Sequence, residues 1–116
     1  PLTVDPELMR DGRAAYDEIC ATCHGVLGNG ASVVADKMEL RRPPSFLEAR
    51  LEALPAGEIF AVASRGYGLM PGFASVLDVE QRWAVVAYIR ALRLSQSSAV
   101  AELPADVLRE LTRVAP

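Results

Sequence analysis

Five consecutive residues, Cys20, Ala21, Thr22, Cys23 and His24, constrain this chain more than any other stretch. On a helix, Cys20, Cys23 and His24 stand at i, i+3 and i+4, so the thiols and the imidazole project from one face. Two sulfurs at that spacing can form thioethers to the two vinyl groups of one porphyrin, while the adjacent imidazole lies under the ring centre and binds iron. The string therefore reads as the attachment site of one haem c, bound covalently through Cys20 and Cys23, with His24 as an axial ligand. Three rival readings compete. Structural zinc needs four ligands, and the chain holds 2 cysteines and 1 histidine. A redox-active C-x-x-C is expected near a βαβ pattern, and no strand-like alternation precedes this motif. A plain disulfide leaves His24 without a role.

A chain of 116 residues is one domain by length, with a modest core that a haem would enlarge. Residues 1–116 are read as a single domain, with a core of 5–94 and a C-terminal extension, 95–116, packed on it. Hydrophobic residues make up 51% and the formal net charge is -3, which describes a soluble globular protein and excludes a disordered segment or a nucleic-acid binder. The longest apolar run, Trp83 to Ile89, is too short to span a bilayer. No signal peptide is visible before Pro1, so the chain is read as mature or trimmed.

Along the chain, Asp5, Pro6 and Glu7 form a helix start: N-cap, proline at the first helical position, and an acid at the positive end of the dipole. Leu8, Gly12, Ala15, Tyr16, Ile19 and Cys23 then share one side at helical spacing, carrying a regular helix into the haem motif. Gly12 lies on that apolar stripe, where it permits close approach by another helix. The glycines at 25, 28 and 30 break the helix, and residues 31–44 show no period and read as loop. Ser45 with Glu48 suggests a capping box opening a short helix with Leu47, Leu51 and Leu54. Ile59, Phe60, Val62 and Ala63 mark another helix, for which Gly66 suits the C-terminal cap. The stretch from Gly66 to Phe73 holds three glycines and a proline, so it reads as a shaped loop presenting Met70 and no regular element. Asp78 with Gln81 resembles a second capping box, opening the strongest helix, with Val85, Tyr88, Ile89 and Leu92 at i, i+3, i+4 and i+7. In the tail, Leu103, Val107, Leu108, Leu111 and Val114 form a further amphipathic stripe that needs something to cover.

The second axial position falls to a methionine, because there is no second histidine. Met9 sits in the first helix and reads as packing. Met70 is the best placed, on a loop separated from His24 by a long connection that can wrap the porphyrin, with Met38 or an open iron position as the alternatives. Histidine and methionine together leave no iron position for substrate and raise the reduction potential. Such a site carries electrons and is not an enzyme. An open site would instead suit a haem enzyme or a gas sensor.

Gly12 and Tyr16 before the motif, C-A-T-C-H itself, the Met70-Pro71 loop and Tyr88 in a late helix together resemble class I cytochrome c, over roughly Asp5 to Leu94. The resemblance implies an all-α class I cytochrome c fold of about four to five helices wrapped around one covalently attached haem. It implies that the first and last core helices cross near Gly12, against Val85 and Tyr88. It also implies that a proline carbonyl, Pro43 or Pro44, holds the His24 Nδ1 proton, and that Arg42 or Arg65 bonds the haem propionates. More narrowly, R-P-P-S-F, L-P-A-G-E-I-F, M-P-G-F and R-W-A-V-V-A-Y-I-R-A-L are similar to the monohaem cytochromes of bacterial alternative complex III. That similarity implies a carrier on the periplasmic side of a bacterial membrane, possible lipid anchoring at the N-terminus, a quinol-oxidising complex as donor and a haem-copper terminal oxidase as acceptor. The alternative is a cytochrome domain or subunit of a larger redox enzyme. The loop between His24 and Pro43 and the tail after Ser95 exceed the short class I pattern.

Overall fold

The computed structural model describes residues 4–38, 42–96 and, in the tail, Ala105, Asp106, Arg109 and Arg113. The expected start of α1, Pro6–Ala15, is present: the Asp5 carboxylate accepts from the Leu8 N–H at 2.8 Å, with Pro6 next in the chain. The helix does not continue regularly. Tyr16–Cys20 is a π-helical segment, after which α2, Ala21–His24, resumes the α geometry. The Ala21 N–H reaches back to the Tyr16 carbonyl, five residues away, so one extra residue is accommodated and the haem motif is rotated relative to α1. Gly25, at φ +86°, ends α2.

Residues 31–44, expected to be loop throughout, instead contain a helix, α3, at Val33–Lys37. Its signal is short: Ser32 Oγ accepts from the Ala35 N–H at 2.9 Å, an N-cap for little more than one turn. The helix expected at Ser45 starts later. Ser45 Oγ accepts from the Leu47 N–H at 3.0 Å in a local turn, Glu48 becomes the N-cap, and α4 covers Ala49–Glu52. Then α5, Ala56–Arg65, ends at Gly66, the expected cap, with φ +84°. The glycine-rich stretch, expected to hold no regular element, instead contains a minimal antiparallel hairpin, β1 (Gly66–Tyr67) and β2 (Met70–Pro71), with Gly66 opposite Pro71 and Tyr67 opposite Met70. Finally α6, Val79–Ser95, opens with the expected reciprocal capping box between Asp78 and Gln81.

The core lies where α1 and the π segment cross α6. Tyr16, Tyr88, Leu92 and Val85 are its largest fully buried side chains, with the Tyr16 and Tyr88 rings 5.2 Å apart. Gly12 is what lets the helices meet: a Cβ there would stand 2.7 Å from the Ala84 carbonyl carbon and 3.0 Å from Tyr88 Cβ, closer than packed atoms tolerate. The crossing expected near Gly12 is present, with the Ala84 backbone and Tyr88 as the nearest neighbours. The Arg13 guanidinium also donates to the Arg113 carbonyl at 2.5 Å. Leu103, Val107, Leu108, Leu111 and Val114, the tail stripe, lie outside the described residues.

Candidate functional site

The site is built outward from His24, the last residue of α2, which is only 8% exposed. Its Nδ1 lies 3.3 Å from the Pro44 carbonyl. A carbonyl can only accept, so this contact selects the tautomer with the proton on Nδ1 and leaves the Nε2 lone pair available. Burial holds the imidazole below its ordinary pKa, and the Pro44 carbonyl partly opposes that shift. Neutral imidazole with its far nitrogen tied to a backbone carbonyl is the usual state of a metal-binding histidine. Of the two prolines the sequence leaves open, the geometry selects Pro44.

Several contacts fix that ring and its loop. Phe46 stacks on His24 with centroids 4.6 Å apart and planes at 26°, and the Phe46 N–H donates to the Gly28 carbonyl at 2.7 Å. The Gly30 N–H donates to the His24 carbonyl at 2.8 Å. The buried Tyr16 hydroxyl donates to the Gly25 carbonyl at 2.7 Å, and Ser32 Oγ donates to the Cys23 carbonyl at 2.9 Å. Phe46 and the Tyr16 bond were not identified from the sequence as parts of the site. Each depends on how the chain turns after the motif, although Phe46 stands in R-P-P-S-F two residues after Pro44.

Cys20 and Cys23 are half-buried and not joined to each other. Burial, with Cys23 adding, pushes the Cys20 thiol up to about 11, opposite to the depressed pKa on which a thiol-disulfide catalyst relies. Among the described residues no group of three or more His, Cys, Asp or Glu side chains could hold a bare metal ion. The donor set fits covalent haem instead: two unbridged thiols, a neutral imidazole with one free nitrogen, and aromatic packing around it.

Met70 is half-buried at the first position of β2, and Met38 is half-buried just beyond α3. Met9 packs against the core, as expected. The two arginines are placed differently. Arg42 pairs with Asp36 at 3.1 Å and donates to the Gly30 carbonyl at 3.3 Å, beside an open groove of about 320 Å³ that Pro44 and Arg50 also line. Arg65 is exposed at the end of α5.

Comparison with known proteins agrees with this chemistry. A family model described as cytochrome C oxidase, cbb3-type, subunit III matches residues 7–89, from α1 through most of α6. The chain is also 38% identical over 87 residues to cytochrome c6 of Cladophora glomerata, an alignment covering 74% of this chain and 90% of that protein. A chain matched over that span, with its C-x-x-C-H motif ending in a buried histidine, belongs to the class I monohaem cytochromes c and carries one covalently bound haem c.

Proposed function

We propose that this chain is a one-electron carrier, with the haem held by Cys20 and Cys23 and its iron held by His24 and Met70. The observation that carries the reading is the His24 contact with Pro44, which puts the proton on Nδ1 and leaves the Nε2 lone pair available, while burial favours the neutral imidazole. When bound, the haem supplies a single redox centre that takes up one electron and gives up one electron. The protein supplies the rest. Pro44 and Phe46 hold the His24 ring by a hydrogen bond and a stacking contact, so it would offer the iron the same nitrogen in both oxidation states. Met70 stands on the β1–β2 hairpin, its backbone paired with Tyr67, which would hold the segment in place as it offers the thioether. With His24 and Met70 both on the iron, no position would be left there for a substrate, and the chain has no other histidine to act as acid or base.

The similarity to cytochrome c6 supports the carrier reading, and no helix of the described residues is long and apolar enough to cross a membrane. On this reading the protein works on the periplasmic side, receives electrons from a quinol-oxidising complex and passes them to a haem-copper oxidase. A second reading draws on the matched family description, which names an oxidase subunit: the same domain acting within a larger redox enzyme.

The ligand assignment has a direct test. Met70→Ala in the haem-loaded protein opens the iron to carbon monoxide and lowers the midpoint potential by at least about 59 mV, a tenfold change for one electron. Met38→Ala leaves both unchanged. The reverse pattern rejects Met70.

A further inference from the structure

Building on the Met70 assignment, we infer that Arg82 is a positioning residue for the sixth ligand, holding the Met70 hairpin in register through Ser64. Arg82 lies on the first turns of α6, whose following residues, Ala84 to Ile89, are all buried. That helix is the fixed frame of the molecule. From it, Arg82 Nη1 donates to Ser64 Oγ at 2.6 Å, and Nε donates to the Asp78 carbonyl at 3.3 Å. The guanidinium carbon stands over the Phe60 ring, 5.1 Å from its centroid. The neighbouring Trp83 stacks on the same Phe60 at 4.2 Å. Consecutive residues of α6 therefore grip α5 at Phe60 and, one turn later, at Ser64.

Ser64 is the point at which this grip meets the ligand hairpin. Its hydroxyl donates to the Phe60 carbonyl at 2.7 Å while accepting from Arg82. Its own carbonyl accepts from the Ala74 N–H at 3.2 Å, and the Ala63 carbonyl accepts from the Phe73 N–H at 2.8 Å. These are carbonyls of the last helical turn, which have no partner within the helix. Here they bind the segment that follows Met70. At Gly72 the backbone runs against the same turn: a Cβ there would stand 2.5 Å from the Ser64 carbonyl oxygen and 2.8 Å from Arg65 Cα. The hairpin thus leaves α5 at Gly66, carries Met70 opposite Tyr67, and returns to α5 at residues 63 and 64. Its position is set by the last turn of α5, and Arg82 sets that turn against α6.

The arrangement predicts that loss of the Arg82 contact frees Met70 before it unfolds the protein, since the α1 and α6 core does not use Arg82. The test is made on ferric haem-loaded protein in a denaturant series. The methionine-to-iron charge-transfer band is followed together with far-UV circular dichroism, and carbon monoxide binding is measured on the ferrous form. In Arg82→Ala the band disappears at denaturant concentrations that leave the helical signal intact. The carbon monoxide-accessible fraction rises about tenfold or more, as expected for loss of a hydrogen bond from a charged donor. Arg82→Lys keeps a donor for Ser64 and restores part of the band. Ser64→Ala reproduces the effect, serves the test should Arg82→Ala not assemble, and adds little when the two changes are combined. Band and helical signal lost together at an equally lowered midpoint would mean an ordinary packing contact and overturn the inference. Full additivity of the two substitutions overturns it as well. A wild-type protein without the band rejects the Met70 assignment itself, and this inference with it; a normal wild-type band with an unaltered Arg82→Ala rejects the positioning role alone.

Discussion

At Gly12 two effects of opposite sign compete. Alanine is the better helix former by about 1 kcal/mol, so an exposed glycine at this position would gain from the change. Here the added methyl meets the Ala84 backbone, which cannot swing aside as a side chain tip can. Overpacking of this kind costs about 1–3 kcal/mol, and separating α1 from α6 uncovers Tyr16 and Tyr88 as well. Gly12→Ala is therefore expected to destabilise the protein by about 1–2 kcal/mol net, measured by denaturant unfolding, despite its higher helix propensity. A gain in stability would show that the crossing is looser than described. Single residues whose chemistry is local were legible in the sequence: the C-x-x-C-H string, the Asp5 and Asp78 caps and the Gly66 stop. Pro44 could be narrowed to one of two adjacent prolines, because the choice depends on how the loop lies over His24. Phe46 and Arg82 gave no local signal, since stacking on His24 and reaching Ser64 both depend on segments distant in sequence.

The elements show the same division by range. The capped helices α1 and α6 stand where periodicity and caps place them. The π segment does not follow from spacing, which reads the same as a regular helix; in the fold it begins at Tyr16, fully buried beside Tyr88 of α6. The hairpin at Gly66–Pro71 is two residues wide, too short for any alternating pattern to announce it. The junction of the π segment with α6 carries its own prediction. Burial, followed by the neighbouring Cys20, raises the Tyr16 phenol well above its ordinary value, and burial, followed by Asp17, pushes Tyr88 up to about 12. Both therefore favour the neutral phenol in the fold. Below the unfolded tyrosine value of about 10 their contribution is complete. As pH rises above it, the unfolded chain loses protons that the folded chain keeps, and stability falls by up to about 1.4 kcal/mol per pH unit for each tyrosine. For Tyr88 the fall levels off near pH 12. Tyr16→Phe should reduce that alkaline slope by one proton's worth, and should also lower stability at neutral pH by about 1–2 kcal/mol, since the Gly25 carbonyl loses its donor. An unchanged slope between pH 10 and 11.5 would contradict the assignment.

For the whole molecule, the question is how a carrier of this surface meets its partners. The chain has a single lysine, Lys37, and a formal net charge of -3. Close in sequence to the haem motif and the Met70 hairpin, Val26 is 49% exposed and Leu69 63% exposed. A docking face built on lysines would lose rate steeply with salt, because attraction between opposite charges is screened over about 10 Å at 0.1 M. An apolar face of the size usual for redox encounters, below roughly 1,200 Å², should lose little. The expected result is an electron-transfer rate that changes weakly across a salt series and falls in Leu69→Ser. A steep salt dependence abolished by neutralising Arg42 and Arg65 would assign docking to the arginines instead. The central claim, a haem iron closed on both sides by His24 and Met70, is tested most directly by one absorption experiment on the haem-loaded protein. Spectra are taken oxidised, reduced, and reduced under carbon monoxide. The account predicts a low-spin spectrum in both states, a methionine-to-iron charge-transfer band when oxidised, and no carbon monoxide adduct. A high-spin spectrum, or rapid formation of the adduct, would contradict it.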